Sequence, residues 1–355
     1  MTASLYFEGR LNTTEWSNGT VVVRKEYYFK NWMTLLSQLP LLLFTLLNSF
    51  LYQRISELMR IAGSLVFILL LFLLTAVLVK VPMEEDRFFS VTMATIWFIN
   101  SFGAVLQGSL FGLVGLLPQK YSAIFMSGQG LAGTFAAIAM LLAIGSDADS
   151  ETAALGYFIT PCVGTLITLF SYLFLPRLVS VFNNSFLFQI WVMALCVTFV
   201  FTVTLSVFPA VTADVKTAFP GKWERFFISV CCFLIFNIND WLGRTITTLI
   251  RWPSKESRLF PVLVVSRVVF VPLLMLCNVE KRSFLPVYFA HDGAFTAIMA
   301  LFSLSSGYFV CLSMSYAPQL VDPKDAETAG ALMTFFLALG LSIGAALSFP
   351  LRALV

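Results

Sequence analysis

The sequence predicts an all-α membrane protein built from two helical bundles, on the basis of its composition and an internal repeat. Of its 355 residues, 59% are hydrophobic and only 12% are charged, whereas soluble globular domains contain roughly 25% charged residues. A helix needs ~20 apolar residues to cross the hydrocarbon core of a bilayer. The chain contains ten candidate runs: 32–53, 62–80, 89–117, 122–144, 154–175, 187–209, 226–250, 259–278, 293–317 and 327–350.

The internal repeat appears when the chain is shifted by two hundred residues. Pro118-Gln119, Gly130 and Thr134-Phe135 then align without a gap on Pro318-Gln319, Gly330 and Thr334-Phe335. The two segments lie six helices apart, and an even separation gives both the same orientation in the membrane. Parallel repeats relate the two halves of some transporters. We therefore expect one bundle over residues 31–176, a short linker over 177–186 and a second bundle over 187–355. A six-helix repeat in ten helices also implies that one helix is missing.

Three polar residues share one helical face inside the apolar run 226–250. Asn237, Asp240 and Arg244 are three and four residues apart, so Asp240 and Arg244 can form an i,i+4 ion pair. A charge at mid-bilayer costs roughly 2.5–3.5 kcal/mol on insertion scales, and such residues normally face a bundle interior or a water-filled cavity. The pattern indicates a path for a polar solute. The alternative is an ion pair that only ties this helix to its neighbours.

The carboxylates of the sequence indicate whether transport is coupled to a proton or sodium gradient. A proton- or sodium-driven carrier generally needs an unpaired carboxylate within the membrane. Asp240 is the only deeply placed carboxylate and has Arg244 as a partner, whereas Glu327 begins a helix, where a carboxylate is favourable. Movement down a gradient therefore fits better than symport. Arg267, in the run 259–278, has no evident partner in the sequence.

Cysteine and histidine usage argues against a metal site or a catalytic centre. All six cysteines fall inside apolar runs without metal-ligand spacing, and the single histidine, His291, lies in a loop beside Asp292. Buried small hydrophobic residues are the simplest reading of such cysteines. We expect no enzyme activity, no cofactor and no metal. Because the charges lie in short loops, the net charge of +3 gives no indication of nucleic-acid binding, and the expected surroundings are a lipid bilayer.

Residues 1–30 are polar and loop-like, and they lack the apolar core of a signal peptide. Two glycosylation sequons begin at Asn12 and Asn18, and a sequon is used only on a segment that reaches the lumen. We expect an extracellular N-terminal segment, glycosylated at both positions, in a multi-pass protein of the plasma membrane. The distribution of Lys and Arg favours the opposite orientation. We follow the sequons and place the N-terminal segment outside the cell.

Four segments resemble signature segments of the equilibrative nucleoside transporters. They are Gln107-Gly-Ser-Leu-Phe-Gly112, Ser127-Gly-Gln-Gly-Leu-Ala-Gly133, Phe236-Asn-Ile-Asn-Asp-Trp-Leu-Gly-Arg244 and Ala326-Glu-Thr-Ala-Gly330. The resemblance runs from about residue 31 to the C-terminus. It implies a major-facilitator-like fold of eleven helices that exchanges nucleosides such as uridine and adenosine, and also nucleobases, down their gradients by alternating access. The family's first helix has no counterpart here, and the connection around residues 177–186 is short where the family has a long loop.

The resemblance also implies roles for particular residues. Asp240 and Arg244 match a charged pair that contacts the ribose hydroxyls and the base, with Asn237 one turn away. Gln107 matches a glutamine that contacts the edge of the nucleobase, and its alternative role is a hydrogen bond between helices. Positions that flank the base or the central cavity are matched by Gln38, Leu41, Phe208 and Phe233.

Two hypotheses for the function remain open from the sequence. The first is a uniporter for nucleosides. The second is a membrane protein that has lost activity together with its first helix, and on this view the chain as written transports poorly because one wall of its cavity is absent. Uptake of labelled uridine distinguishes the two, whereas the oligomeric state is not readable from the sequence.

Overall fold

The computed structural model describes residues 7, 11, 14–17, 20–23, 29–51, 54–145, 150–174, 187–219, 221–280, 282, 284–323 and 325–355. A small antiparallel hairpin pairs β1 (Thr14–Ser17) with β2 (Thr20–Val23). The predicted glycosylation sites Asn12 and Asn18 and the predicted linker 177–186 lie outside the described residues. The remaining regular structure in the described ranges is helical.

Ten helices follow in chain order within these ranges. They are α1 (Phe29–Leu51), α2 (Met59–Lys80), α3 (Glu85–Gly115), α4 (Gln119–Gly145), α5 (Ser150–Leu173), α6 (Leu187–Val207), α7 (Glu224–Ile246), α8 (Leu259–Met275), α9 (Asp292–Tyr316) and α10 (Ala326–Leu354). Among the described residues, nine of these helices, all except α8, are long and apolar enough to cross a membrane. The prediction of an all-α, multi-pass membrane protein is therefore confirmed.

Helix α8 differs from the uninterrupted span expected over residues 259–278. Its two α-helical pieces, Leu259–Ser266 and Phe270–Met275, are joined by a 3₁₀ turn over Arg267–Val269. Pro272 lacks the N–H that would bond to the carbonyl four residues earlier, so the α-helical ladder is interrupted there. The whole of α8, Leu259–Met275, is also shorter than the ~20 residues that a straight crossing requires.

Helix α7 also changes its winding along its length. A π-helical segment, Ile228–Leu234, separates the first turn, Glu224–Phe227, from the α-helical segment Ile235–Ile246. Segments of π-helix inside α-helices are rare and are frequently found at functional sites. The segment that contains Asn237, Asp240 and Arg244 follows it directly.

The chain separates into two units by its internal contacts. The first unit contains residues 1–109 and 145–178, and the second contains residues 110–144 and 179–355. In the first unit, α2 packs along α5. The division into bundles over residues 31–176 and 187–355 stays a prediction.

In the second unit, α10 packs along α6 and α9 packs along α7. Small residues allow the backbones to approach closely in both pairs. A Cβ atom added at Gly340 would overlap the backbone of Thr198, and one added at Gly307 would overlap the carbonyl of Asp240. The second of these contacts places α9 directly against the charged segment of α7.

Candidate functional site

The three residues of the polar face predicted on α7 all lie in the α-helical segment Ile235–Ile246. Asn237 is held to its own helix, since its Nδ2 atom donates to the carbonyl of Phe233 at 2.8 Å. Asn239 donates in the same way to the carbonyl of Ile235 at 2.8 Å. Both amides therefore satisfy backbone acceptors within the membrane, where an unpaired polar group is costly.

Asp240 and Arg244 form the ion pair expected from their spacing. The Nε atom of Arg244 donates to Oδ2 of Asp240 at 2.8 Å, and each side chain is 11% exposed. Removal of the two charges from water is costly, and their attraction offsets that cost only with good geometry and further hydrogen bonds. The two charges therefore neutralise each other inside the second unit, and a small part of each side chain remains accessible.

Each partner of the ion pair retains hydrogen-bonding capacity. The Nη1 atom of Arg244 lies 3.3 Å from Oε1 of Gln129 and 3.5 Å from the carbonyl of Met126. Within the described residues, Oδ1 of Asp240 and Nη2 of Arg244 have no hydrogen-bond partner, and neither is among the fully buried atoms that lack one. One carboxylate acceptor and one guanidinium nitrogen are thus open to a ligand.

Helix α4 positions this pair through its segment Ser127–Gly133. A Cβ atom at Gly130 would come within 2.9 Å of Cα of Trp241, and one at Gly133 would overlap the side chain of Asn237. The absence of side chains at these glycines lets α4 lie directly against α7. The hydroxyl of Thr134 donates to the carbonyl of Asn237 at 3.0 Å.

Hydroxyl contacts complete the junction between α4 and α7. The hydroxyls of Ser127 and Thr245 are 2.8 Å apart, and Nε1 of Trp241 donates to the Ser127 hydroxyl at 3.2 Å. These bonds lie on either side of Arg244 along α7. The junction therefore holds both ends of the guanidinium-bearing turn against α4.

Aromatic side chains form a second part of the site in the same unit. Phe208 stacks on Phe236 with 3.9 Å between ring centroids and 7° between planes, and it meets Phe233 edge-on at 5.7 Å. The structure thus brings Phe208 and Phe233 into contact, together with Phe236, and their role beside a nucleobase stays a prediction. Offset-stacked and edge-on pairs are the geometries that aromatic rings prefer.

The remaining predicted residues, Gln38, Leu41 and Gln107, belong to the first unit. Among the described residues, no hydrogen bond of the Gln107 side chain is found, although a role in joining helices requires one. The Oε1 atom of Gln38 is buried without a partner, and Leu41 is half-buried. A ligand role for these three residues stays a prediction.

Arg267, which has no evident partner in the sequence, is hydrogen-bonded in the structure. Its side chain is 1% exposed. It donates to the hydroxyl of Ser305 at 3.0 Å, the carbonyl of Val200 at 2.9 Å and the hydroxyl of Thr204 at 3.1 Å. The guanidinium also lies 5.2 Å from the ring centroid of Phe302. Its partners are neutral groups of α6 and α9, which a search for carboxylates along the sequence does not find.

Sequence reasoning missed Ser127 and Gln129 as residues that contact the charged segment of α7. The available signal was a glutamine between two glycines inside the apolar run 122–144, because a polar side chain in a membrane helix normally faces a partner or a cavity. Within the described part of the chain, no group of three or more His, Cys, Asp or Glu residues is placed to hold a metal ion.

The fold is that of the major-facilitator-like membrane proteins. Two solved structures show the same fold. A human organic anion transporter, TETRAN, superposes with a TM-score of 0.57 at 14% identity, covering 99% of this chain and 84% of the other. The Escherichia coli fucose:proton symporter FucP superposes with a TM-score of 0.51 at 11% identity, covering 99% and 95%.

Comparison of sequences identifies the family. A family model described as "Nucleoside transporter" matches residues 93–185 and 177–353. Equilibrative nucleoside transporter 2 of Rattus norvegicus is 49% identical over an alignment of 426 positions, gaps included, covering 100% of this chain and 93% of the relative. Equilibrative nucleoside transporter 1 of Homo sapiens is 49% identical over an alignment of 377 positions, covering 92% of this chain and 83% of the relative. The chain belongs to the nucleoside transporter family, which confirms the resemblance seen in its motifs.

Proposed function

We propose that this protein moves nucleosides across the plasma membrane down their concentration gradients, by alternating access and without coupling to an ion. The observation that supports this most directly is that both partners of the α7 ion pair keep an unbonded polar atom. Asp240 and Arg244 bind each other through Oδ2 and Nε and leave Oδ1 and Nη2 open. An acceptor beside a donor matches a hydroxyl group, which donates one hydrogen bond and accepts others.

The chemistry of the pair fits the ribose of a nucleoside. A carboxylate oxygen accepts from vicinal hydroxyls, while a planar guanidinium donates to a hydroxyl or carbonyl oxygen. A site built to bond hydroxyls strongly rejects analogues that lack them. We therefore expect free nucleobases to be carried less efficiently than nucleosides, because they lack the ribose hydroxyls that would donate to the open Oδ1 atom of Asp240. Uridine and adenosine are suitable test substrates.

The paired state of Asp240 supports facilitated diffusion. In the described membrane helices the other carboxylates lie at helix ends or in loops, and Asp240 is held at 2.8 Å by Arg244. A carboxylate paired in this way does not supply the free ion site that proton or sodium coupling generally uses. The relatives named above are both described as equilibrative, which agrees with this proposal.

Counterflow tests the proposed function. The purified full chain is placed in liposomes loaded with unlabelled uridine, and entry of external labelled uridine is followed. We expect a transient accumulation of label that excess adenosine abolishes, because exchange through one site couples the two fluxes. Liposomes without protein and liposomes with Asp240→Ala protein are the controls. Folded protein without counterflow would favour the hypothesis of a non-transporting membrane protein.

A further inference from the structure

We propose that Gln129 is a further specificity-determining residue of the nucleoside site, donating a hydrogen bond from its amide nitrogen to one hydroxyl oxygen of the ribose. The inference rests on the function proposed above and adds a residue of α4 to a site so far described on α7. Four observations support it: the orientation of the amide, its open nitrogen, the rigidity of its helix junction, and the arrangement of the surrounding donors and acceptors.

Arg244 determines which way the amide of Gln129 points. A guanidinium has only donors, so a hydrogen bond to a glutamine must end on the carbonyl oxygen of the amide. The contact at 3.3 Å joins Nη1 of Arg244 to Oε1 of Gln129. The choice between oxygen and nitrogen, which otherwise depends on the surrounding network, is therefore fixed. The Nε2 atom points away from the guanidinium.

The amide nitrogen is open. The side chain of Gln129 is half-buried, and within the described residues Nε2 has no acceptor and is not among the fully buried atoms without a partner. By contrast, Nε2 of Gln119, on the same helix, is buried without a partner. An amide N–H in a membrane protein is costly unless it meets an acceptor. Gln129 therefore presents two hydrogens to accessible space beside the ion pair.

The backbone that bears Gln129 is held on both sides. Two residues earlier, Ser127 bonds to Thr245, and one residue later Gly130 lies against the backbone of Trp241. Further along, Thr134 bonds to the carbonyl of Asn237. A donor fixed before the ligand arrives loses less conformational entropy on binding. Gln129 thus has the fixed position that discrimination between similar ligands requires.

The three side chains present complementary groups for a sugar. Asp240 offers an acceptor, Arg244 offers a donor, and Gln129 offers a second donor beyond Arg244. Each hydroxyl of a ribose has one hydrogen to give and two lone pairs to fill. Of these three side chains, Asp240 accepts the hydroxyl hydrogens, and Arg244 and Gln129 donate to hydroxyl lone pairs that would otherwise lack a hydrogen bond. This division of roles predicts that Gln129 recognises one particular hydroxyl.

Transport of deoxynucleosides tests the proposal. Initial uptake is measured as Vmax/KM for uridine and for 2′-deoxyuridine, 3′-deoxyuridine and 5′-deoxyuridine, with wild-type protein and with Gln129→Met at matched protein levels. We expect a loss of about 2- to 13-fold for uridine, the effect of one neutral hydrogen bond. We expect no loss for the one analogue that lacks the partner hydroxyl. An equal loss for all four substrates, or no loss for uridine, overturns the proposal.

Two further variants separate ligand contact from support of Arg244. Gln129→Glu keeps an oxygen for Arg244 but removes the donor, so it should show the same dependence on the substrate as Gln129→Met. Full uridine transport by this variant would mean that only the acceptor matters, and would contradict the proposal. Gln119→Met is the matched control, because Oε1 of Gln119 also accepts from an arginine, Arg251, at 3.0 Å. It should alter uptake of the four substrates equally or not at all.

The outcomes distinguish this inference from the function on which it rests. Wild-type protein that carries none of the four substrates contradicts the proposed function itself. Wild-type protein that carries uridine, combined with a Gln129→Met effect independent of the missing hydroxyl, contradicts the role of Gln129 alone.

Discussion

Replacement of Asp240 by asparagine should abolish most nucleoside transport while leaving a folded protein. The substitution keeps the size and shape of the side chain, and its amide oxygen can still accept from Nε of Arg244, the bond that now measures 2.8 Å. It removes the negative charge and exchanges one oxygen for an amide nitrogen. The open acceptor at Oδ1 is then lost or becomes a donor, which cannot receive a hydroxyl hydrogen.

The magnitude follows from the kind of bond that is lost. Hydrogen bonds to charged groups contribute about 1.5–3 kcal/mol, which corresponds to roughly 10- to 150-fold in Vmax/KM. A second effect acts on stability. Removal of one partner of a fully buried pair costs about 3–5 kcal/mol. The cost here should lie below that range because each side chain is 11% exposed and Arg244 keeps its contact with Gln129.

The assay compares Vmax/KM for uridine, normalised to the amount of folded protein, between Asp240→Asn and Asp214→Asn. Asp214 is the matched control because its Oδ2 also accepts from an arginine Nε, that of Arg352, at 2.7 Å, with 45% of its side chain exposed. An exposed pair contributes about 0–1 kcal/mol, so the control should transport nearly as the wild type does. Asp240→Asn protein with wild-type uptake would refute a ligand role and favour the alternative that the pair only joins helices.

Three other predictions concern helix packing, the buried Arg267 side chain and the N-terminal segment. Gly307→Ala should lower the free energy of unfolding by about 1–3 kcal/mol through overpacking, because the added Cβ atom overlaps the carbonyl of Asp240. Gly164→Ala is the control, because a Cβ atom there has no neighbour within 4 Å and should leave stability unchanged. A thermal-shift assay compares the two variants. Arg267→Lys should lower the melting temperature although it keeps the charge, because one ammonium cannot replace the fork that spans α6 and α9. Enzymatic deglycosylation should increase the gel mobility of surface-labelled protein, and the variant Asn12→Gln, Asn18→Gln should show no such shift.

The sequence was sufficient to predict the ion pair, because i,i+4 spacing within one helix fixes the distance between two side chains without any tertiary information. The same reasoning identified nine of the membrane helices from the length of their apolar runs. It failed in detail at α8, where a 3₁₀ turn over Arg267–Val269 interrupts a run that is apolar enough to be counted as one helix. The length and hydropathy of a run do not predict where the α-helical hydrogen bonding is interrupted.

Contacts between helices could not be predicted from the sequence, and two parts of the site depend on them. Arg267 finds its acceptors on Thr204 and Ser305, and hydroxyls at such separations along the chain give no periodic pattern. Gln129 meets Arg244 only because the glycines of α4 let that helix lie against α7. The motif around Gln129 was visible as a family resemblance, whereas the partner of its side chain required the fold.

The most direct test of uncoupled transport is the final distribution of labelled uridine across liposomes that contain the full chain, measured with an imposed sodium gradient, with a proton gradient and with neither. Because Asp240 is paired with Arg244, we expect label to enter until its internal and external concentrations are equal, and we expect neither gradient to change this end point. Internal uridine held above the external concentration under either gradient would contradict it, since such accumulation requires an ion site that a paired carboxylate does not provide.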